Sequence, residues 1–315
     1  MPSRTSPGPT ARGVGKMRLS VLMLLALVFL PGGQRPAAAQ AAERSLFVSV
    51  LGEGGAPVPG LGPDAFVVRE DGRSVEVLRA SRATQPIDLA ILVDNSQAAS
   101  PYITDLRTGI QAFAERMIRG GHRVAIIGLA DRPTVLVDYT TDPAQAAKGV
   151  GRIFAQPGSG TTLLDAINDT SRGLQKREGE RRVMVVITTE GTDFSTPNHE
   201  RTLDAIEASG AAVNALVITR RGGQDLSTDE ARSRALVLDQ GPRVSGGRYT
   251  QLLSSMALKG ELDQLATDLE NQYHVVYARP ASLLPAEKTV VTVKESGVTV
   301  RSTPAPARNA PAAGA

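Results

Sequence analysis

The chain has 315 residues, no cysteine and no tryptophan, and 35 Lys and Arg against 32 Asp and Glu. It is long enough to bury its own core, and without cysteine it has neither disulfide staples, nor thiol chemistry, nor a lipidated-cysteine anchor. Five basic and no acidic residues fall in residues 1–39, so the remainder carries 30 basic against 32 acidic side chains and makes nucleic acid a poor partner.

Residues 1–39 read as a secretory signal. Arg12, Lys16 and Arg18 precede an apolar run from Leu19 to Leu30, too short to span a bilayer, and Ala37-Ala38-Ala39 offers a small-residue cleavage site. The expectation is a secreted or periplasmic protein cut near Ala39.

Residues 45–84 read as a β region. A strand is predicted over Leu46–Leu51, then strands over Ala65–Val68 and Ser74–Leu78 joined through Glu70-Asp71-Gly72-Arg73, where Asp-Gly is a hairpin signal. From 86 to 272 strands alternate with helices. Ile87–Val93 is an apolar run broken only by Asp88, and Ile103, Leu106, Ile110, Phe113 and Met117 then give one apolar helical face. Val124–Leu129 and Thr134–Tyr139 read as strands, Pro143–Phe154 and Leu163–Gln175 as helices, and residues 183–189 as a strand. A helix over Asn198–Ser209 and a strand over Val213–Thr219 follow. Arg220–Gly247 is expected to be a surface excursion with a helix near Asp229–Leu238, before a short strand at Arg248 and a helix over Leu258–Leu269. The alternation predicts an α/β fold with a doubly wound, mostly parallel sheet. Residues 273–302 turn β again, and this flank is expected to join the first in one small β companion region, because neither alone can bury both faces. Residues 303–315 form a Pro/Ala tail too poor in apolar bulk to fold.

Three segments carry the candidate chemistry. Asp94-Asn95-Ser96-Gln97-Ala98 ends a buried strand, where an open α/β sheet places its ligands, and its carboxylate and hydroxyl can converge on a hard cation or form an ordinary turn. Gly158-Ser159-Gly160-Thr161 delivers a threonine hydroxyl at a helix start. Thr188-Thr189-Glu190-Gly191-Thr192-Asp193 closes a second buried strand with a carboxylate followed by glycine.

In this order the segments resemble the von Willebrand factor A family, whose metal-ion-dependent adhesion site takes Asp-x-Ser-x-Ser, a loop Thr and an Asp-Gly. The resemblance gives Asp94, Ser96, Thr161 and Glu190 the metal positions and implies a magnesium or manganese ion. Two departures stand out: Ala98 brings no oxygen, and Glu190 is one methylene longer than the family's Asp. The ion is therefore expected to be held weakly, with water in the gap, and the alternative is a socket that keeps only the turn geometry. Val58 to Gly72 and the β ending also resemble the von Willebrand factor A-related branch of acidobacterial envelope proteins, so that the likeness covers most of residues 45–302.

An enzyme is not expected. His122, His199 and His274 share no metal-ligand spacing, no Gly-x-Ser-x-Gly elbow occurs, and Gly158–Thr162 lacks the lysine of a phosphate loop. The family's site implies adhesion: an exported interaction module that takes a protein or matrix partner on the loops at the sheet's carboxyl edge, with Gln97, Tyr102 and Phe194 on the rim. Tyr102 reads equally as first-turn packing. A metal-free structural subunit of an envelope assembly is the alternative, and a secreted hydrolase comes third.

Overall fold

In this computed structural model residues 41–219, 226–280, 286 and 288–304 are described. The signal expected over 1–39 and the tail beyond Pro304 lie outside them. No helix of the described residues is long and apolar enough to cross a membrane.

The central sheet has six strands: β5 (Ile87–Val93), β6 (Arg123–Gly128), β7 (Thr134–Thr140), β8 (Arg181–Thr189), β9 (Ala212–Ile218) and β10 (Tyr249–Leu252). They lie in the order β10-β9-β8-β5-β6-β7, parallel throughout except for the antiparallel edge strand β7. Every residue of β5, β8 and β9 is buried. That follows from helices covering both faces, and it explains why these strands read as continuous apolar runs rather than alternating ones. Asp88, which interrupts the first run, is fully buried and paired with Arg123 at 2.5 Å and Arg177 at 3.1 Å. Burial would raise its pKa, but hydrogen bonds from these two guanidinium groups hold it below the ordinary carboxylate value.

Alternate residues of β5 feed two cores. Leu89, Ile91 and Val93 pack with Leu106, Ile110 and Phe113 of α1 (Ile103–Arg119), Val150 of α2 (Pro143–Gly151) and Leu258, Leu262 and Leu265 of α6 (Leu258–Glu270). Ala90 and Leu92 face α3 (Leu163–Gln175), α4 (His199–Ser209) and α5 (Asp229–Ser245). The first helix after Thr140 stops at Gly151, short of the expected Phe154.

The largest departure from expectation is α5. The helix expected near Asp229–Leu238 is present but longer and not superficial: over 17 residues it packs a buried face of Arg234, Val237, Leu238, Gly241, Pro242 and Ser245 on the sheet. Residues 220–225 of the expected excursion lie outside the described residues. Gly241 admits the Ile206 side chain of α4, and the Ser245 hydroxyl donates to the Gly241 carbonyl and accepts from the Val213 N–H, which ties the last turn to β9.

Both flanks build one companion region. β1 (Ala41–Leu51) lies between β13 (Thr299–Pro304) and β11 (Tyr273–Pro280), and β4 (Val77–Arg82) pairs on the far side of β11. A smaller sheet holds β12 (Thr289–Val293), β2 (Phe66–Glu70) and β3 (Arg73–Val75). Leu46, Val48 and Val50 pack with Phe66, Val68, Val275, Tyr277 and Val291 between the two. The β2–β3 turn is Asp71-Gly72, with φ of 47° and 81°, the left-handed pair that a two-residue hairpin requires. The single strand expected over Ser74–Leu78 is split at Glu76, its halves serving different sheets. β13 runs two residues into the predicted tail, because Thr303 faces Phe47 in the ladder and its hydroxyl donates to the Ser245 carbonyl.

Candidate functional site at the carboxyl edge

β5 leads through α1 to β6 on one side, while its other neighbour, β8, is reached only after β6, β7, α2 and α3. The carboxyl ends of β5 and β8 therefore form the topological switch point where doubly wound sheets open a crevice. A cleft of about 1320 Å³ opens there, lined among others by Ser96, Gln97, Ala98, Glu190, Asp193 and Phe194.

Asp94 is fully buried. Its Oδ1 accepts the Ser96 N–H at 2.9 Å, so it caps the turn that follows it. Its Oδ2 accepts the Thr189 N–H at 3.0 Å, the Thr189 hydroxyl at 2.7 Å and the Thr188 hydroxyl at 3.3 Å. Asn95, also buried, clamps the neighbouring loops: its Oδ1 accepts the N–H groups of Leu129 and Ala130, both at 2.9 Å, and its backbone carbonyl accepts that of Gln156. A Cβ at Gly128 would lie 2.9 Å from that Asn95 oxygen, so glycine is required there.

Thr161 is buried and bridges Asp193 on one side and Ala130 on the other; its hydroxyl donates to the Thr192 carbonyl at 3.3 Å. The cap of α3 comes from elsewhere, since the Ser195 hydroxyl accepts the N–H groups of Leu164 and Asp165. The Ser96 hydroxyl is buried without a hydrogen-bond partner, and so is Asp193 Oδ2. Burial raises the Asp193 pKa above the ordinary value, opposed by hydrogen bonds from Ser195 and by the charge of Arg234.

Behind these groups lies Arg234 of α5, with no exposed surface. Its Nη2 donates to the Thr188 hydroxyl at 2.7 Å and to the Thr189 carbonyl, and its Nε stands 3.7 Å from Asp193 Oδ2. Asp193 and Arg234 were not among the residues expected from sequence. The signal for Arg234 was its helical register with Val237, Leu238 and Gly241, which puts a charge on an apolar face.

On the rim, Gln97 is exposed and its side-chain oxygen accepts the Gly158 N–H, while Phe194 is 63 % exposed and lies against Gly160. Glu190 lines the cleft. Tyr102 is half-buried and packs on the core beneath α1, so the packing reading holds for it and it stands apart from the cleft lining.

As arranged, the oxygens suit a hard dication poorly. Asp94 Oδ2 already accepts three donors and Oδ1 one, position 98 supplies nothing, and a guanidinium stands beside the second carboxylate. Among the described residues no group of three or more His, Cys, Asp or Glu could hold a metal ion.

No curated protein matches the chain. Among solved structures it is similar to the conserved hypothetical protein BatB from Bacteroides thetaiotaomicron, at 16 % identity and a TM-score of 0.43, covering 59 % of this chain and 100 % of that one. It is also similar to the vWF domain of the type V pili tip protein Mfa5 from Porphyromonas gingivalis, at 11 % identity and a TM-score of 0.44, covering 58 % and 95 %. A von Willebrand factor type A protein from Catenulispora acidiphila gives 12 % identity and a TM-score of 0.44 over 84 % of this chain and 72 % of that one. Residues 89–192, running from β5 through the end of β8, match the family model of the von Willebrand factor type A domain, and the α/β unit that contains them has that fold.

Proposed function

We propose that the protein is an exported interaction module, a binding protein rather than an enzyme, that takes a protein or matrix partner in the carboxyl-edge cleft. The α/β unit over 86–272 is the binding part, and the β regions over 45–84 and 273–302 are its mount. The observation that carries this reading is the open cleft at the switch point, where Phe194 offers an exposed aromatic face beside Gln97 and Glu190. The von Willebrand factor type A match over residues 89–192 supports it. The expected signal over residues 1–39, and the likeness of residues 58–72 to the envelope branch, support an envelope location. Any magnesium or manganese at Asp94, Ser96, Thr161 and Glu190 is held weakly, for the reasons of donor geometry given above.

The test is capture from envelope extract by tagged protein, with and without chelator, comparing the parent with Phe194→Ala and Gln97→Ala. The expected result is a retained partner that survives chelation and is reduced at least about tenfold by Phe194→Ala, as for a buried aromatic anchor. Capture unchanged by both substitutions would place the interface elsewhere and favour the structural-subunit reading.

A further inference from the structure

Arg234 is the largest side chain with no exposed surface among the described residues. A guanidinium is buried in this way only where acceptors and opposite charge compensate the loss of water. Here the compensation converges on the site. Arg234 Nη2 donates to the Thr188 hydroxyl, which itself donates to Asp94 Oδ2, so one hydroxyl relays the guanidinium to the carboxylate at the end of β5. Arg234 Nε faces Asp193 Oδ2 at 3.7 Å, and neither atom has another partner. Burial lowers the pKa of Arg234, while Asp193, Asp94 and Glu190 act against that loss.

We propose that Arg234 is the resident cation of the carboxyl edge, standing in for the charge that the family resemblance assigns to a divalent ion. Part of the Asp94 and Asp193 charge is then offset from within the fold, and the loops over Asp94, Thr161 and Asp193 keep their arrangement without metal. A dication placed among the same carboxylates would meet a fixed positive charge, and that disfavours its binding beyond the missing oxygen at Ala98. The assignment is independent of which partner the cleft takes.

Thermal melts test it on the whole mature chain. The parent, Arg234→Met, Asp193→Asn and the double variant are melted in chelator and in millimolar MnCl₂. The parent's melting temperature should be the same in both conditions. Arg234→Met leaves the buried Asp193 carboxylate without its cation and should melt roughly 10 °C lower, as expected for breaking a buried pair in a chain of this size. Part of that loss should return with Mn²⁺, and part with Asp193→Asn in the same chain. A parent that gains stability saturably with Mn²⁺ overturns the proposal, and so does a double variant whose loss is the sum of the two single losses. If Arg234→Met does not fold, the parent and Asp193→Asn decide: Asp193→Asn should lose stability because it leaves the guanidinium without its carboxylate, and an unchanged melt overturns the pairing.

Discussion

Asp94 is more deeply built into the fold than a ligand on a loop would be. Four donors from Ser96, Thr188 and Thr189 converge on it with no exposure to water. Replacing it by Ala leaves those donors unpaired, so Asp94→Ala is expected to cost about 3 kcal/mol of stability in urea melts. Thr189→Val, which removes one donor and leaves the rest, should cost about 1 kcal/mol. Near-zero losses in both would mean that the threonines find other acceptors. Ala98→Ser bears on the metal. Position 98 lies against Gly191 on the cleft wall, and a hydroxyl there adds one oxygen to the set. Calorimetric titration with Mn²⁺ should show tighter binding in Ala98→Ser than in the parent, and a larger gain when Arg234→Met is added. Identical isotherms would mean that the edge takes no metal ion even with the oxygen restored. Asp94, Ser96, Thr161 and Glu190 could be singled out from sequence because each belongs to a spaced motif. Asp193 stood in the same quoted stretch but was passed over for Glu190, whose glycine neighbour fits the motif. Arg234 was missed because it comes from a helix remote in sequence, and only the packing of α5 brings it to Thr188.

The elements written with one clear period were readable from sequence. The Asp71-Gly72 hairpin and the helix over Leu163–Gln175 are formed by local signals that tertiary contacts do not override. α5 was readable only in part, since a buried arginine and Pro242 break its apolar face and its length is set by packing against α4 and β9. The seam between the companion region and the α/β unit was not legible, because it is built from residues that look like strand ends. There the Phe47 ring stacks on His274 at 5.3 Å, with the Arg181 guanidinium 5.2 Å from its centroid. Arg181 donates to the carbonyls of Gln85 and Leu269 and to the Gln272 side chain, and burial lowers its pKa to about 10. His122 Nδ1 accepts the Ile87 N–H, and His274 Nδ1 pairs with the Gln85 amide. Burial lowers both histidine pKa values below 6.5 and Arg181 lowers them further, opposed by Glu270 at His122 and by Glu180 at His274, where Arg79 adds to the lowering. The unfolded chain therefore binds more protons than the folded one below about pH 6.5. The histidine contribution is present above that value and is lost as pH falls through the folded pKa values. Melting temperature should drop between pH 7 and 5, and a His122→Gln/His274→Gln variant should flatten that part of the profile. An unchanged slope would assign the acid sensitivity to other groups.

At the scale of the whole molecule, the companion region depends on both ends of the chain. Among the described residues β1 pairs with strands β11 and β13 alone, and β4 pairs with β11. Ending the chain after Gln272 removes β11, β12 and β13, opens both edges of β1, and leaves Leu46, Val48 and Val50 with only the β2 part of their core, Phe66 and Val68. The truncated protein is expected to aggregate while the parent stays monodisperse in size-exclusion chromatography with light scattering. A soluble truncation with an unchanged melt would mean that the two flanks do not share a core.

The position of β1 between strands from the far end of the sequence also sets an order in time. Leu46 meets Val275, about 230 residues later in the chain, so at synthesis rates of roughly 5–20 residues per second it waits roughly 10–50 s for its partner to emerge. Every strand and helix of the α/β unit emerges during that interval, and its parallel sheet can close before β1 has any ladder to join. The first strand of the companion region to appear is thus among the last to be secured. For that period an apolar strand with two open edges is the part of the nascent protein most in need of a holding chaperone.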